Sequence, residues 1–407
     1  MVSEMSTSRV HVNELRQLEA EAWTELLRRT PPLREIVVRH VGVEPVSPAL
    51  TRYLLHFDGY SDPVPFIGKK TTAREASFYR DIAAQIPRLL PPCRLSHVAQ
   101  DWSWLVLDEI PDDRPPARWT DDDVEKVIAT LASFHGTFWQ QSETLAAYPW
   151  LSSYLGQHGA DVPPQRMLDA WLYWDSTAGR GQALSSHALH SAGPLAPVFV
   201  RAAAGLAILR RLGGWPGVIS GRHLVAIAEL LDDPVPLLQP LRELPVTLLH
   251  GNLALHHWHL TLFDSRLLFD WGNVVVGPPI LDLVDFLESV ERQRAQQNQG
   301  GNGRAWPVSE ETMVDSYLLR MHVGLAHFDA RAMRQALPAA FCLHVLTTWL
   351  PRFAEWFEPF VQSPLTWRAL LEMDDAELHH AGYGRLAGLH HYLANLFVRF
   401  WHDAKLL

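Results

Sequence analysis

Cysteine is scarce in this chain. There are two in 407 residues, Cys93 and Cys342, far apart and in no CxxC pair. That excludes a disulfide framework and points to a reducing compartment. Runs of Lys and Arg are also missing, and the formal net charge is −10. A basic groove for nucleic acid is therefore not expected. The longest apolar stretches, such as 337–350, are too short to span a bilayer. The first twenty residues lack the apolar core of a signal peptide. The expectation is a cytoplasmic protein with no membrane or nucleic-acid partner. No self-similarity recurs at a fixed period, and neither GxGxxG nor HExxH occurs.

What is present is ordinary globular material: 47% apolar and 20% charged residues, enough for one large or two ordinary domains. Sixteen Trp is high and implies a bulky core. Residues 13–29 carry Leu15, Leu18, Ala22, Trp23, Leu26 and Leu27 at helical spacing, and Thr30-Pro31-Pro32 ends that helix. Strand-like segments follow at 34–41, 51–58 and 64–70, then a helix over 72–86 and a hairpin over 93–110 that turns at Asp101. Pro111–Pro116 is a polar, proline-bearing connector. After it the pattern is mainly helical. Thr120 is placed to cap a helix whose first turn holds Asp121, Asp122 and Asp123, and the helix dipole accounts for that acidic run without a metal. Further helices are expected over 151–240 and 311–406, and 296–310 is a low-complexity loop.

The densest signal is HGNLALHHWHLTLFDSRLLFDWGNVVVGPPILDLVD, from His250 to Asp285. It reads as a strand ending at His250-Gly251, a tight loop, a short hairpin and an aspartate at Asp270. Together with FIGKK before TAREASFYRDI, the strand WSWLVLDEI and the helix segment LASFHGTFW, this order resembles the aminoglycoside phosphotransferase and choline kinase-like family. The resemblance implies an α+β, protein-kinase-like two-lobed fold. Residues 1–110 would form an N-terminal helix and a small antiparallel-sheet lobe that binds nucleotide. Residues 111–407 would form a large, mainly helical lobe with the catalytic-type loop. The implied activity is phosphoryl transfer from ATP or GTP, with Mg²⁺, to a hydroxyl of a small-molecule substrate.

Phosphoryl transfer is chiefly positioning and charge neutralisation. By resemblance, Lys69 pairs with the phosphates and with Glu75. Lys69 and Lys70 point to opposite faces of a strand, so one of them serves, and the strand spacing favours Lys69. Backbone groups around Asp108, Glu109 and Ile110 would meet the purine edge. His250 buttresses the loop, Gly251 permits its sharp path, and Asp282 anchors it from a helix start. His135 is expected to be a packed helix residue.

Two positions depart from the family pattern. Its HGD aspartate is Asn252 here, and its metal-binding Asn is His257. A carboxamide can orient a hydroxyl but is not basic at neutral pH, and loss of a general base costs about 100- to 10,000-fold. Asp270 supplies one hard oxygen ligand for Mg²⁺, whereas imidazole suits transition metals better. His256 or His259 could face the site instead if the loop shifts register. A zinc reading gathers His256, His257, His259 and Asp270. Two functional readings stand: an attenuated phosphotransferase, or a pseudokinase that binds nucleotide or a small ligand without turnover.

Overall fold

The computed structural model describes residues 19–28, 33–98, 103–110, 114–156, 184–261, 264–299, 308–361, 367–381, 383, 386 and 388–407. The chain divides into two compact units, Met1–Pro115 with His256–Val274, and Pro116–Leu255 with Val275–Leu407.

In the first unit a helix, Ala20–Arg28, precedes a five-stranded antiparallel sheet. The strands are β1 Val38–Pro45, β2 Leu50–Phe57, β3 Val64–Thr71, β4 Cys93–His97 and β5 Ser103–Asp108, in the order β1-β2-β3-β5-β4. β2 alternates strictly between half-buried and buried positions, as a sheet with one covered face requires. Its inward residues Tyr53, Leu55 and Phe57 pack with Trp23, Leu27, Phe66 and Trp104. Gly68 on β3 lies under the Tyr53 and Trp104 rings, and a Cβ there would stand 2.5 Å from Trp104. Any side chain at 68 would push apart the aromatic layer beside Lys69.

The first strand runs four residues later than the expected 34–41. The Val38 N–H donates to Thr24 Oγ1 at 2.9 Å, so the preceding helix fixes where pairing begins. At the other end Glu44 and Pro45 pair with Arg52 and Thr51. Proline is tolerated there because β1 is a sheet edge. The helix expected over 72–86 ends at Asp81 and gives way to a 3₁₀ turn at Ala83–Gln85. Leu15 and Leu18, the Asp101 turn, residues 111–113 of the connector and 300–307 of the low-complexity stretch lie outside the described residues.

The first unit also includes a later hairpin, β7 Trp258–Leu260 with β8 Arg266–Leu268. The Leu268 N–H donates to the Leu89 carbonyl at 2.8 Å, and the Arg114 N–H to the Leu260 carbonyl at 2.8 Å. These backbone bonds tie the hairpin to the sheet-bearing unit across more than a hundred residues of chain.

The second unit is mostly helical. Its helix Asp121–Thr137 has the expected cap: Thr120 and Asp123 form a capping box. β6 Thr247–Leu249 pairs with β9 Val275–Gly277 and brackets the catalytic-type loop. The helical run Ser186–Arg211 is long and apolar enough to cross a membrane by length and composition, and 72% of its apolar window is buried inside the fold. Gly205 explains its close approach to the helix Leu350–Val361: a Cβ there would collide with the Leu350 carbonyl.

The helix Gly221–Asp232 begins at Ser220, whose N–H donates to His223 Nδ1 at 3.0 Å. Burial, aided by the Arg222 charge, pushes His223 down from its ordinary 6.5 to about 4. The unfolded chain then binds the proton more readily. The stabilising contribution is complete above about pH 6.5 and is lost as pH falls towards 4. We expect His223→Gln to flatten this limb of the pH–stability curve in urea unfolding. An unaltered slope would show that other groups set the acid sensitivity.

Candidate active site

Lys69 lies on β3, paired across the sheet with Leu50 and Leu105. The strand's alternation leaves Lys70 exposed and half-buries Lys69. Of the two, Lys69 meets Glu75: its Nζ lies 2.8 Å from Glu75 Oε2 and 2.8 Å from Asp270 Oδ1. Glu75 sits in the first turn of the helix Ala73–Asp81, and its N–H donates to the cap Thr72 at 3.2 Å. The residue is 1% exposed. A buried carboxylate is costly unless fully paired, and here Lys69, the Trp271 N–H at 3.1 Å and the Thr71 hydroxyl all donate to it. Burial works against the Lys69 charge, but Glu75 and Asp270 outweigh it and its pKa is raised. Lys69 is therefore a cation at any physiological pH.

Asp270 has φ 67° and ψ 58°, a left-handed conformation uncommon for a non-glycine residue. Neighbouring packing over-determines it. The Trp271 ring stacks on Phe78 at 4.2 Å with planes 10° apart, and its Nε1 donates to the Leu268 carbonyl at 3.0 Å. The Asp270 side chain stays 45% exposed, while the next residue, Trp271, is locked in the core. Its second oxygen, Oδ2, lies 3.5 Å from His257 Nε2.

The structure does not assemble the zinc reading. Among the described residues no group of three His, Cys, Asp or Glu side chains is placed to hold a metal. His256 and His257 are in ring contact at 4.1 Å, but His259 lies against Phe269. Alternation along β7 turns His259 away from its neighbour Trp258. For Mg²⁺, Asp270 fits as a hard oxygen donor, with water and phosphate oxygens able to complete the shell. His257 does not fit as a second Mg²⁺ ligand, because its imidazole is a nitrogen donor.

At the end of β5, Arg94 clamps the Asp108 carboxylate with two bonds, Nε to Oδ1 at 2.7 Å and Nη2 to Oδ2 at 2.5 Å. Glu109 is held by Arg52 Nε at 2.9 Å. The Asp108 N–H already donates to the Pro92 carbonyl at 2.9 Å. The two arginine clamps carried no sequence signal, because they join residues 14 and 57 positions apart.

In the second unit, the loop after β6 turns through Gly251 at φ 76°. The N–H groups of His250 and Gly251 donate to the two oxygens of Asp282 at 2.7 and 2.9 Å. His135 Nε2 lies 3.2 Å from the same carboxylate, and its Nδ1 lies 2.7 Å from the Tyr317 hydroxyl. Asp282 and His135 are 1% and 0% exposed. Burial, then the Asp282 charge, pushes Tyr317 well above the ordinary phenol value, so it stays a neutral donor. His135 is a packed helix residue, as the sequence implies, and also a member of this network. Tyr317 had no motif to reveal it. Asn252 is exposed just beyond the anchored pair, and its backbone carbonyl accepts from the Ala254 N–H at 3.0 Å.

Removing Asp282 would strand two backbone donors and His135 in the core. Hydrogen bonds to a charged group contribute roughly 1.5–3 kcal/mol each, so Asp282→Ala is expected to cost about 3–5 kcal/mol of stability. Urea unfolding measures this, and a loss below about 1 kcal/mol would mean that water replaces the carboxylate.

An ammonium held between a buried glutamate and a half-exposed aspartate, on a five-stranded antiparallel sheet, with a mostly helical second unit, defines an α+β protein of the protein-kinase-like class. The model of the APH phosphotransferase enzyme family matches residues 24–311, and the chain belongs to that family. Similar solved structures include an aminoglycoside phosphotransferase from Alicyclobacillus acidocaldarius (12% identity, 90% of this chain and 93% of that one, TM-score 0.39). A choline kinase from Cryptosporidium parvum matches at 11% identity over 95% of each chain, TM-score 0.41. A macrolide 2'-phosphotransferase from Brachybacterium faecium matches at 15% identity over 85% of this chain and 98% of that one, TM-score 0.39. No curated protein sequence matches the chain.

Proposed function

We propose that this protein is a cytoplasmic small-molecule phosphotransferase. It would use ATP or GTP with Mg²⁺, and its turnover would be slowed by the amide at Asn252. The observation that carries the reading is the Lys69 ammonium, 2.8 Å from both Glu75 and Asp270. The nucleotide side falls to residues 1–110 together with Asp270, and the acceptor side to the helical part of 111–407. Glu75 fixes the Lys69 stem so that its charge is pre-positioned for phosphate oxygens, and no reorganisation is needed when they arrive. Asp270 would hold Mg²⁺, which when bound neutralises phosphate charge and orients the transferred group. Asp282 holds the His250-Gly251 backbone, so the Asn252 carboxamide is presented on a rigid support. Asn252 accepts a hydrogen bond from the substrate hydroxyl and orients it, while the proton leaves to water or to phosphate. A loose transition state tolerates the missing base.

The pseudokinase reading is kept because two observations favour it. The base position holds an amide at Asn252, and His257 places nitrogen where a second oxygen ligand would serve Mg²⁺. A thermal-shift titration with ATP and GTP, with and without Mg²⁺, tests both readings together. We expect a nucleotide-dependent rise in Tm, and no rise with either nucleotide would remove the phosphotransferase and leave only a pseudokinase that binds a small ligand. A γ-phosphate transfer assay over a panel of hydroxyl acceptors then separates them.

A further inference from the structure

The β7–β8 hairpin brings two groups of different chemistry together at its open end. Trp258 pairs with Leu268, and one step further the Phe269 N–H donates to the His257 carbonyl at 2.9 Å. That register seats His257 opposite Phe269 and next to the residue that follows it, Asp270. The Asp270 backbone is left-handed there, φ 67°. His257 is 6% exposed, and the His256 ring packs on it at 4.1 Å with planes 61° apart. Lys69, Glu75, His257 and Asp270 all belong to the first compact unit.

The two oxygens of Asp270 face different partners. Oδ1 lies 2.8 Å from the Lys69 ammonium, and Oδ2 lies 3.5 Å from His257 Nε2. The second distance is beyond the roughly 2.7–3.2 Å of a good N–H···O hydrogen bond. It is close to the spacing that one metal ion imposes on two of its ligands. Bonds of about 2.1 Å set neighbouring ligands about 3.0 Å apart in an octahedral shell and about 3.4 Å apart in a tetrahedral one. A neutral imidazole with its proton on Nδ1 has a lone pair on Nε2, and the carboxylate oxygen carries lone pairs too. A dication between them satisfies both. The donor set is mixed, one nitrogen and one oxygen. Mg²⁺ calls for hard oxygen ligands, whereas transition-metal dications take imidazole as well, with affinity rising from Mn²⁺ to Co²⁺. Among the described residues no third His, Cys, Asp or Glu side chain joins the pair. The rest of the shell therefore has to come from water and from phosphate oxygens, which the Lys69 ammonium beside Asp270 would also attract.

We propose that His257 Nε2 and Asp270 Oδ2 form a two-ligand seat for a transition-metal dication, Mn²⁺ or Co²⁺, taken up with the nucleotide in preference to Mg²⁺. The inference rests on the nucleotide-binding part of the phosphotransferase reading, because phosphate oxygens complete the shell. His257 is then the residue that sets metal specificity. Mg²⁺ is left with Asp270 alone, while an ion that accepts nitrogen gains a second bond to the protein. The imidazole at 257 needs no loss of function to account for it.

The test uses the full chain, freed of metal by chelation, and the non-hydrolysable β,γ-imido analogue of ATP. Calorimetry gives the Kd of the analogue at saturating Mg²⁺, Mn²⁺ or Co²⁺. Binding should tighten in that order, with Co²⁺ at least about tenfold ahead of Mg²⁺. His257→Asn, which puts an oxygen donor in place of the nitrogen, should close the gap to within about threefold. Retained melting of the variant guards against misfolding. A second measurement needs no variant. In protein whose histidines are labelled with heavy nitrogen, pulsed electron paramagnetic resonance of the Mn²⁺ complex should show coupling to a histidine nitrogen. The chain holds 21 histidines, so the coupling has to require nucleotide and disappear in Asp270→Asn. Equal nucleotide affinity with all three metals and no histidine coupling overturns the seat and leaves the phosphotransferase reading standing. Coupling that persists without nucleotide, or survives Asp270→Asn, marks an adventitious ion only and also overturns the seat. Absence of nucleotide binding with any of the three metals removes the phosphotransferase reading, and this inference falls with it.

Discussion

Asn252→Asp is expected to raise the phosphotransfer rate by about 100- to 10,000-fold, the range that a positioned general base contributes. The substitution is nearly isosteric. It replaces a carboxamide, which has one acceptor oxygen and no useful basicity, with a carboxylate that accepts from the substrate hydroxyl and can take its proton. The supporting loop is already built. His250 and Gly251 are fixed to the buried Asp282, and Asn252 is exposed beyond them. The new charge would therefore not be buried, and stability should change by less than about 0.5 kcal/mol. The measurement is γ-phosphate transfer under single-turnover conditions, which isolates the chemical step from product release. If the Asp variant binds Mg-nucleotide as the parent does yet transfers no faster to any acceptor, the amide is not what slows the site. The pseudokinase reading would then gain, and His257 would become the position to change.

Lys69→Ala should have the second-largest effect, because one ammonium serves two carboxylates. Its loss leaves Glu75, 1% exposed, with an uncompensated charge in the core. Breaking a buried pair from one side costs about 3–5 kcal/mol. Lys69 itself is 20% exposed, which places the expectation at the lower end, about 3 kcal/mol. Nucleotide affinity should fall by at least about tenfold. Lys70→Ala should change neither stability nor affinity by more than about twofold in the corresponding constant, since Lys70 is exposed. Lys69→Ala with Glu75→Gln separates the two consequences. The neutral amide should restore most of the stability while nucleotide binding stays weak. Equal losses from Lys69→Ala and Lys70→Ala in nucleotide titrations would show that the ion pair is structural only.

A good part of the fold could be read from local pattern. The Thr120–Asp123 capping box, the alternation of β2 and β3, the β7–β8 hairpin and the order of strand and helix in the first unit all follow from residues within a few positions of one another. Boundaries were less legible. β1 begins at Val38 because the Thr24 hydroxyl, 14 residues earlier, meets its amide, and no periodicity within 34–41 records that contact.

The candidate functional residues divide in the same way. The motif outline from His250 to Asp285 marked Asp270, Asn252, His257 and Asp282 by their order in the chain. The strand pattern around Lys69 narrowed the cation to one of two neighbouring lysines. Local sequence thus determined which chemical groups this protein has to work with, including the amide and the imidazole that set it apart from its family's pattern. Only the tertiary structure decided how they meet. Lys69 and Asp270 are 201 positions apart, Trp271 reaches Glu75 across 196, and Tyr317 reaches His135 across 182. Side-chain direction at such sites is fixed by packing between distant segments. It leaves no trace in the spacing of residues along any one of them.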